Sequence, residues 1–585
     1  MNKCTRLYKY SIAIGLLSLI LTGCDDFLDK DPIDKMIPTS FFRNEKELDL
    51  YANSFYQRML PDGLSVVTRD GMGDYTSKNN SPTYIAGAYS AINEGSWNWT
   101  NLRNINFFIE KVKDSEVPTA VKNHYIGVAR AFRAQFYYDK VTRYGDVPWI
   151  SAPLSVDDEL LYAPRDSREL VMDSVLMDLD FAAKHIRDTK DQTSSLMTRQ
   201  VALALKSRIC LFEGTYRKYH PEINLQAGAD KFLREAADAA KKVMESKKYK
   251  LYSTGNPYKD YRTLFTSEAP VSDEVMFAIV YNKAFRRWHN ITWKFNSATY
   301  GSRWGLNKQF INTYLMRDGS RFTDRPNYDE MLFVDEMQNR DPRLGQTVRS
   351  LGYKRSDGKA APPNFGYTFT GYHILKFSLD DPRLDGVGES ANSITLIRYA
   401  EVLLNYAEAK AELGEFDDKI WGETIALLRQ RAGVDAAAPV SADPYLTETY
   451  FPEITDKYLL EIRRERGIEL CYEGMRYNDL LRWKKGHLME MSWKGIYVPK
   501  MDFPMDLDGN GTPDVAFVNK APKDKVPGVY YYIIDNKTSK LTQGDHGHVT
   551  WRDNEKRQFP DKKYLHPISQ KDLELNSNLT QNPGW

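Results

Sequence analysis

VARAFRAQFYYDKVTRY, residues 128–144, places Val128, Phe132 and Phe136 four apart, with Ala129 and Arg133 alongside. Apolar residues at that spacing share one face of a 3.6-residue helix, so the stretch reads as an amphipathic helix. Gly145 stops it and Pro148 forbids its resumption. Working outward, residues 166–187 and 198–216 repeat the pattern, the latter with Ala202, Leu205, Ile209 and Phe212 on one face. Residues 229–246 are rich in Ala, and LIRYAEVLLNYAEAKAEL (396–413) is closed by Gly414 and followed by a helical run over 419–431. The spacing predicts a mainly α chain.

Small alanines alternating with large residues on paired helices resemble tetratricopeptide units, although the spacing is too irregular to make a repeat by periodicity alone. Between the helical blocks, over residues 249–392, regular pattern is scarce and Gly, Pro, Asn and aromatics dominate. Long irregular segments over a helical scaffold are where binding usually lives. No Pro/Gly/Ser linker cuts the chain. The expectation is one body over 41–585, with an N-terminal part at 41–248 and a loop-rich and C-terminal part at 249–585.

Composition narrows the function. The chain has 585 residues, with 80 Lys+Arg against 79 Asp+Glu and a formal charge of +1. That balance argues against nucleic-acid binding, which rests on clustered excess base, and suits an uncharged ligand. The 13% aromatic share excludes a disordered chain, and with 37 Tyr and 11 Trp most of it is amphipathic, fit for half-wet surfaces.

The N-terminus carries an address. Lys3, Arg6 and Lys9 precede an uncharged, mostly apolar run at 11–22, too short for a spanning helix but fit for a signal peptide. The run ends Leu21-Thr22-Gly23-Cys24, which looks like a bacterial lipoprotein lipobox. Residues 1–23 would be removed and Cys24 lipidated, with an acidic tether (DDFLDKDP) leading residues 24–40. Of the other cysteines, Cys4 lies in the removed segment, and Cys210 and Cys471 sit in helical runs and read as buried free thiols.

Four segments carry a family likeness: the lipobox with its acidic start, YGDVP at 144–148, RYAEVLLNYAEA at 398–409 and EIRRERGIELCYEGMRYNDLLRW at 461–483. With YLHPI at 564–568 and NLTQNPGW at 578–585, the chain resembles the SusD/RagB family of Bacteroidetes outer-membrane lipoproteins. Ser569 stands where a second proline is usual. The resemblance implies a SusD-like helical fold with tetratricopeptide-like pairs and long loop insertions. It also implies a non-enzymatic surface protein that captures a nutrient, commonly an oligosaccharide, and delivers it to a SusC-like, TonB-dependent barrel. A peptide-binding or lid-type member, or a surface glycoside hydrolase with two carboxylates across a cleft, are the alternatives.

Sugar binding asks for aromatic faces beside Asp, Asn and Arg. Residues 94–101 (EGSWNWTN) supply Trp97, Trp99 and Asn101, with Arg69, Asp70 and Asp74 in a preceding Gly-rich loop. Trp97 and Trp99, two apart, cannot both face the core of an extended stretch, so at least one is expected to be exposed or on a loop, and Trp97 is favoured because family members often pack a Trp at the place of Trp99. Trp288, Trp293, Tyr300 and Trp304 form a second cluster, and for each aromatic packing and ligand contact are both open readings. Residues 461–483, with Glu465, Glu469 and Glu473 at helical spacing among arginines, read as a structural ion-pair network. Asp506, Asp508, Asn510, Thr512 and Asp514 have the spacing of a calcium loop with Gly511 at its turn position. Phe517 replaces the usual bidentate Glu, so a polar Asx/Gly turn is the other reading. The DHGH run at 545–548 reads as a surface loop rather than a metal site.

Overall fold

The computed structural model of this chain describes residues 42–87 and 89–585. The signal-peptide segment, Cys24 and the tether lie outside the described residues. The helices that frame the site are α1 (Glu45–Met59), α2 (Thr100–Lys113), α3 (Thr119–Tyr144), α4 (Arg168–His185), α5 (Arg199–Tyr219), α6 (Ala229–Ser246), α7 (Tyr399–Glu412), α8 (Ile425–Ala432), α9 (Lys457–Glu469) and α10 (Arg476–Arg482). They pack in series, α2 on α3, α3 on α4, α4 on α5, α5 on α6 and α6 on α7, which then meets α9. This is the mainly helical, paired arrangement that the periodicity predicted.

Local chemistry sets the ends. Asn44, Ser167, Thr198 and Asp456 each accept a backbone N–H from the first turn of the helix that follows, satisfying donors that have no intrahelical partner. Gly145, at φ 76°, ends α3, and a Cβ there would stand 2.9 Å from Leu565 Cδ1. Residues 396–398, expected to be helical, instead belong to strand β4 (Ile394–Arg398), paired antiparallel with β2 (Val275–Ile279). The run at 419–431 is broken at Thr424, between a short helix (Asp418–Glu423) and α8.

The pattern-poor stretch is not shapeless. Its residues 305–306 form β3, which pairs with β1 (Thr76–Ser77), joining the loop region to the N-terminal part. Short strands from residue 494 onward build two further small sheets. Cys210 and Cys471 are buried and free, and burial pushes both thiols up.

The segment 461–483 is buried almost throughout. Only Glu461 pairs along its own helix, with Arg464 at 3.1 Å; Glu465 and Glu469 find their arginines on other segments, and Glu473 lies beyond the end of α9. Glu469 meets Arg343 at 2.8 Å and Arg398 at 2.7 Å, Glu465 meets Arg429 at 2.7 Å, and Glu473 meets Arg398 and Lys376, each at 2.7 Å. Arg482 holds Glu408 at 2.6 Å. Breaking one such buried pair costs about 3–5 kcal/mol because it strands a charge.

Candidate functional site

A cleft of about 1140 Å³ opens where the N-terminal helices meet α10. The 65–72 segment, the 96–101 loop, α3, Arg208 of α5 and residues 473–481 wall it. Of the sequence-predicted residues it gathers Arg69 and Asn101. Arg69 is exposed and donates to Asn478 Oδ1 at 2.8 Å, and Asn101 donates to the Arg58 carbonyl at 3.2 Å.

Sequence reading missed Gln135, Asp139 and Lys140, which α3 presents to the cleft. The signal was available: Gln135 and Asp139 stand four apart beside the apolar stripe of an otherwise buried helix. Gln135 Nε2 donates to Asp139 Oδ1 at 3.0 Å. Asp139 faces the opening yet is walled in by protein, and that burial raises its carboxyl above the usual range. Lys140 donates to the Ser96 carbonyl at 2.5 Å, and burial pushes its ammonium down to about 8. Thr142 and Tyr477 line the same space through the rest of their side chains, their hydroxyls being buried without a protein partner.

The 94–101 loop is fixed from beneath by Glu94. Its carboxylate accepts from Arg143 Nη2 at 2.7 Å, Tyr89 at 2.8 Å, Tyr144 at 2.9 Å and the Ser96 N–H at 2.8 Å, with His566 Nδ1 at 3.2 Å. Trp97 lies on a loop, one of the two placements expected for it, and is half-buried rather than exposed. Both indoles are half-buried, edge to face at 5.2 Å, with Trp97 also against Tyr144 and Trp99 against Phe136. The loop is not an extended strand, so the alternation rule that would send one ring outward does not apply. These two rings border a separate pocket of about 320 Å³ with Leu102, Ile150 and Leu160.

Three further expectations are corrected. Asp70 is fully buried beneath α10, where it accepts from Tyr75 OH at 2.7 Å and the Gly474 N–H at 3.2 Å, and burial raises its carboxyl to about 6. Asp74 is buried in a bidentate pair with Arg476, both contacts 2.7 Å. Trp304 is 4% exposed, packed over Gly71, where a Cβ would come within 2.5 Å of its ring. All three are drawn inward because β1 and the turn before it are sandwiched between β3 and α10.

Around Trp304 the second cluster divides. Trp293 and Tyr300 stack at 4.3 Å and 26°, both half-buried. Trp288 is exposed and outside that stack.

In the 506–514 loop the carboxylates of Asp506, Asp508 and Asp514 lie within 4.8 Å of one another. Burial and the charges of Asp508 and Asp506 raise Asp514 to about 6, so the three acids repel as they stand. Asp506 accepts the N–H groups of Asp508, Gly509 and Gly511, and Asn510 Oδ1 accepts that of Thr512 at 2.6 Å, which leaves part of the donor set engaged in the turn. Strands β5 (Pro504–Met505) and β6 (Val515–Val518) flank the loop where an EF-hand has helices. His546 is exposed, whereas His548 is buried on β7 (Gly547–Trp551), 3.1 Å from Asp329, so the 545–548 run is only half a surface loop.

A family model described as "SusD family" matches residues 274–585, and one described as "Starch-binding associating with outer membrane" matches 51–200. SusD-like protein P2 of Formosa agariphila is 23% identical over 522 residues, 82% of this chain and 91% of the relative. SusD-like protein P38 of the same organism is 25% identical over 78% of this chain and 82% of its own. Among solved structures, a SusD-like protein from Bacteroides fragilis superposes with TM-score 0.69 at 20% identity, over 95% of this chain and all of the other. A SusD-like carbohydrate binding protein from the same species gives 0.68 at 21%, over 92% and 100%. Among the described residues no helix is long and apolar enough to cross a membrane. With a family model covering more than half of its length, the chain belongs to the SusD family.

Proposed function

We propose that this protein is a cell-surface binder, lipid-anchored at Cys24, that captures an oligosaccharide in the α3/α10 cleft and passes it to a SusC-like, TonB-dependent transporter. The observation that carries the reading is the cleft itself. Its volume of about 1140 Å³ accepts several sugar units, and it offers Arg69, Asn101, Gln135 and Asp139 along its wall. Sugar hydroxyls need such a mixture of donors and acceptors, with apolar wall from Phe136 and Leu60 for the ring faces. Binding rather than hydrolysis is favoured by the lining acids. Glu473 is locked by Arg398 and Lys376, leaving Asp139 without the second free carboxylate that glycoside hydrolysis uses.

Affinity electrophoresis and calorimetry on a glycan panel test the reading. Retardation by at least one polysaccharide, abolished by Asp139→Asn with Asn101→Ala and unaccompanied by turnover, is expected. Binding of peptides with no response to any glycan, or release of reducing sugar, would overturn it. Cys24→Ala should shift the protein from the outer-membrane fraction to the soluble one. For the 506–514 loop we propose a structural calcium ion held by Asp506, Asp508 and Asp514, since a divalent charge would relieve the repulsion that raises Asp514.

A further inference from the structure

The antiparallel β1/β3 pair matches Thr76 with Leu306 and Ser77 with Gly305, so the next residues along, Lys78 and Trp304, come opposite one another. Lys78 Nζ stands 5.2 Å over the Trp304 ring, whose buried indole N–H has no partner. A second ammonium approaches from the one-turn helix Ile291–Phe295. Lys294 Nζ lies 5.0 Å from the centre of the Tyr300 ring, 3.3 Å from the Tyr300 carbonyl and 3.4 Å from Ser302 Oγ. The Asn79 N–H donates to the Ser302 carbonyl at 2.8 Å, tying the strand end to this turn. Arg303 follows directly, its guanidinium 5.2 Å over Phe369, which stacks on Trp551 at 3.6 Å.

Among the described residues, none of these three cations has a carboxylate within ion-pair distance, and all three are partly exposed. Other cations of this molecule also lack an acid, as Arg340 and Arg349 do, but those are buried against carbonyl and amide oxygens, whereas these three gather, partly exposed, around one turn. Burial, and next the charge of Lys294, press the Lys78 ammonium down to about 8, so the two lysines feel each other with no anion between them. Beside them lies the half-buried Trp293/Tyr300 stack, a surface for the apolar face of a pyranose.

We propose that Lys78 and Lys294, supported by Arg303, bind the anionic substituent of an acidic sugar, a carboxylate or a sulfate ester, while its ring rests on Trp293/Tyr300. The inference rests on the glycan-binding reading and narrows it to acidic glycans. The near-neutral charge of the whole chain does not oppose this, because ion binding is decided within roughly one Debye length, about 8 Å at physiological salt.

The test uses the mature protein in affinity electrophoresis against four immobilised polysaccharides: polygalacturonate, its methyl ester, a sulfated galactan free of uronate (carrageenan) and its desulfated form. The carboxylate and sulfate arms separate the two sources of charge. Retardation by at least one charged polymer is expected, at least about tenfold stronger than by its neutralised counterpart and weakened by salt. Lys78→Met with Lys294→Met should erase that preference while leaving the melting temperature and far-UV dichroism as in the parent. Equal affinity for charged and neutralised forms, or a preference that survives the double substitution, overturns the inference and leaves glycan binding standing. Failure of all four polymers, together with every neutral glycan of the panel, overturns both. Single variants Lys78→Gln and Lys294→Gln decide the matter in the same way if the double variant does not fold.

Discussion

Replacing Glu94 by Gln removes the charge at the base of the loop that carries Trp97, Asn98 and Asn101. The parent carboxylate is 5% exposed and gathers Arg143, Tyr89, Tyr144 and two backbone N–H groups. A glutamine keeps the shape but offers one neutral acceptor and an unwanted donor, so Arg143 loses its counter-charge and keeps only a neutral partner and a long contact to Tyr89 at 3.4 Å. Loss of one partner of a fully buried pair costs about 3–5 kcal/mol, and because Arg143 is one-third exposed the expected cost is about 2–3 kcal/mol. With an unfolding entropy of about 2.1 cal/mol/K per residue, that lowers the melting temperature of a chain this long by about 2 °C. Calorimetry at pH 7 on the parent, Glu94→Gln, Arg143→Met and the double variant measures the cost and the coupling, expected to be at least about 1.5 kcal/mol. The pH dependence has a definite sign. Burial alone would raise the Glu94 carboxyl, but the hydrogen bonds from His566 and Arg143 outweigh it and hold the group far below its ordinary 4.5. Its stabilisation is therefore complete above 4.5 and shrinks as the pH falls below it, so the gap between parent and variant should narrow in acid. A variant that melts within half a degree of the parent, or a gap that widens on acidification, would refute the reasoning.

Other perturbations give equally definite outcomes. Arg476→Met strands Asp74 and should destabilise by about 3–5 kcal/mol, read by chemical denaturation, with Asp74→Asn/Arg476→Met recovering part of the loss. Gly71→Ala drives a methyl into Trp304 and should cost about 1–3 kcal/mol together with a change in tryptophan emission; unchanged emission would contradict the packing described. Asp70, raised to about 6 by burial, binds its proton more tightly folded than unfolded, so lowering the pH from 7 to 5 should favour the parent relative to Asp70→Asn by about 1–2 kcal/mol. Calcium at a hundredfold excess over its dissociation constant should stabilise the parent by about 2.7 kcal/mol and Asp508→Asn by much less; an unmoved parent would exclude the ion.

Much of the fold could be read from periodicity because α3, α5 and α6 carry their burial in local spacing. The strand at 394–398 could not, since residues 396–398 share the apolar character of the helix they lead into and only pairing with β2 distinguishes them. The site was legible in part for the same reason. Arg69 and Asn101 reach the cleft, but the contact of 69–74 with 474–476 spans some four hundred positions, and it alone decides that Asp70 and Asp74 face inward. Trp304 was lost to the core by the register of two-residue strands too short to leave a pattern. Lys78 and Lys294 carry no motif at all; their interest lies in the acids that are missing around them.

The central claim is that a glycan occupies the cleft between α3 and α10. A crystal structure with the best-binding oligosaccharide of the panel tests it most directly. The account predicts sugar density within hydrogen-bond distance of Arg69, Asn101 and Asp139, and for an acidic glycan density also on the Trp293/Tyr300 stack beside Lys78 and Lys294. Well-defined sugar bound elsewhere on the molecule, with the cleft holding only solvent, would contradict it.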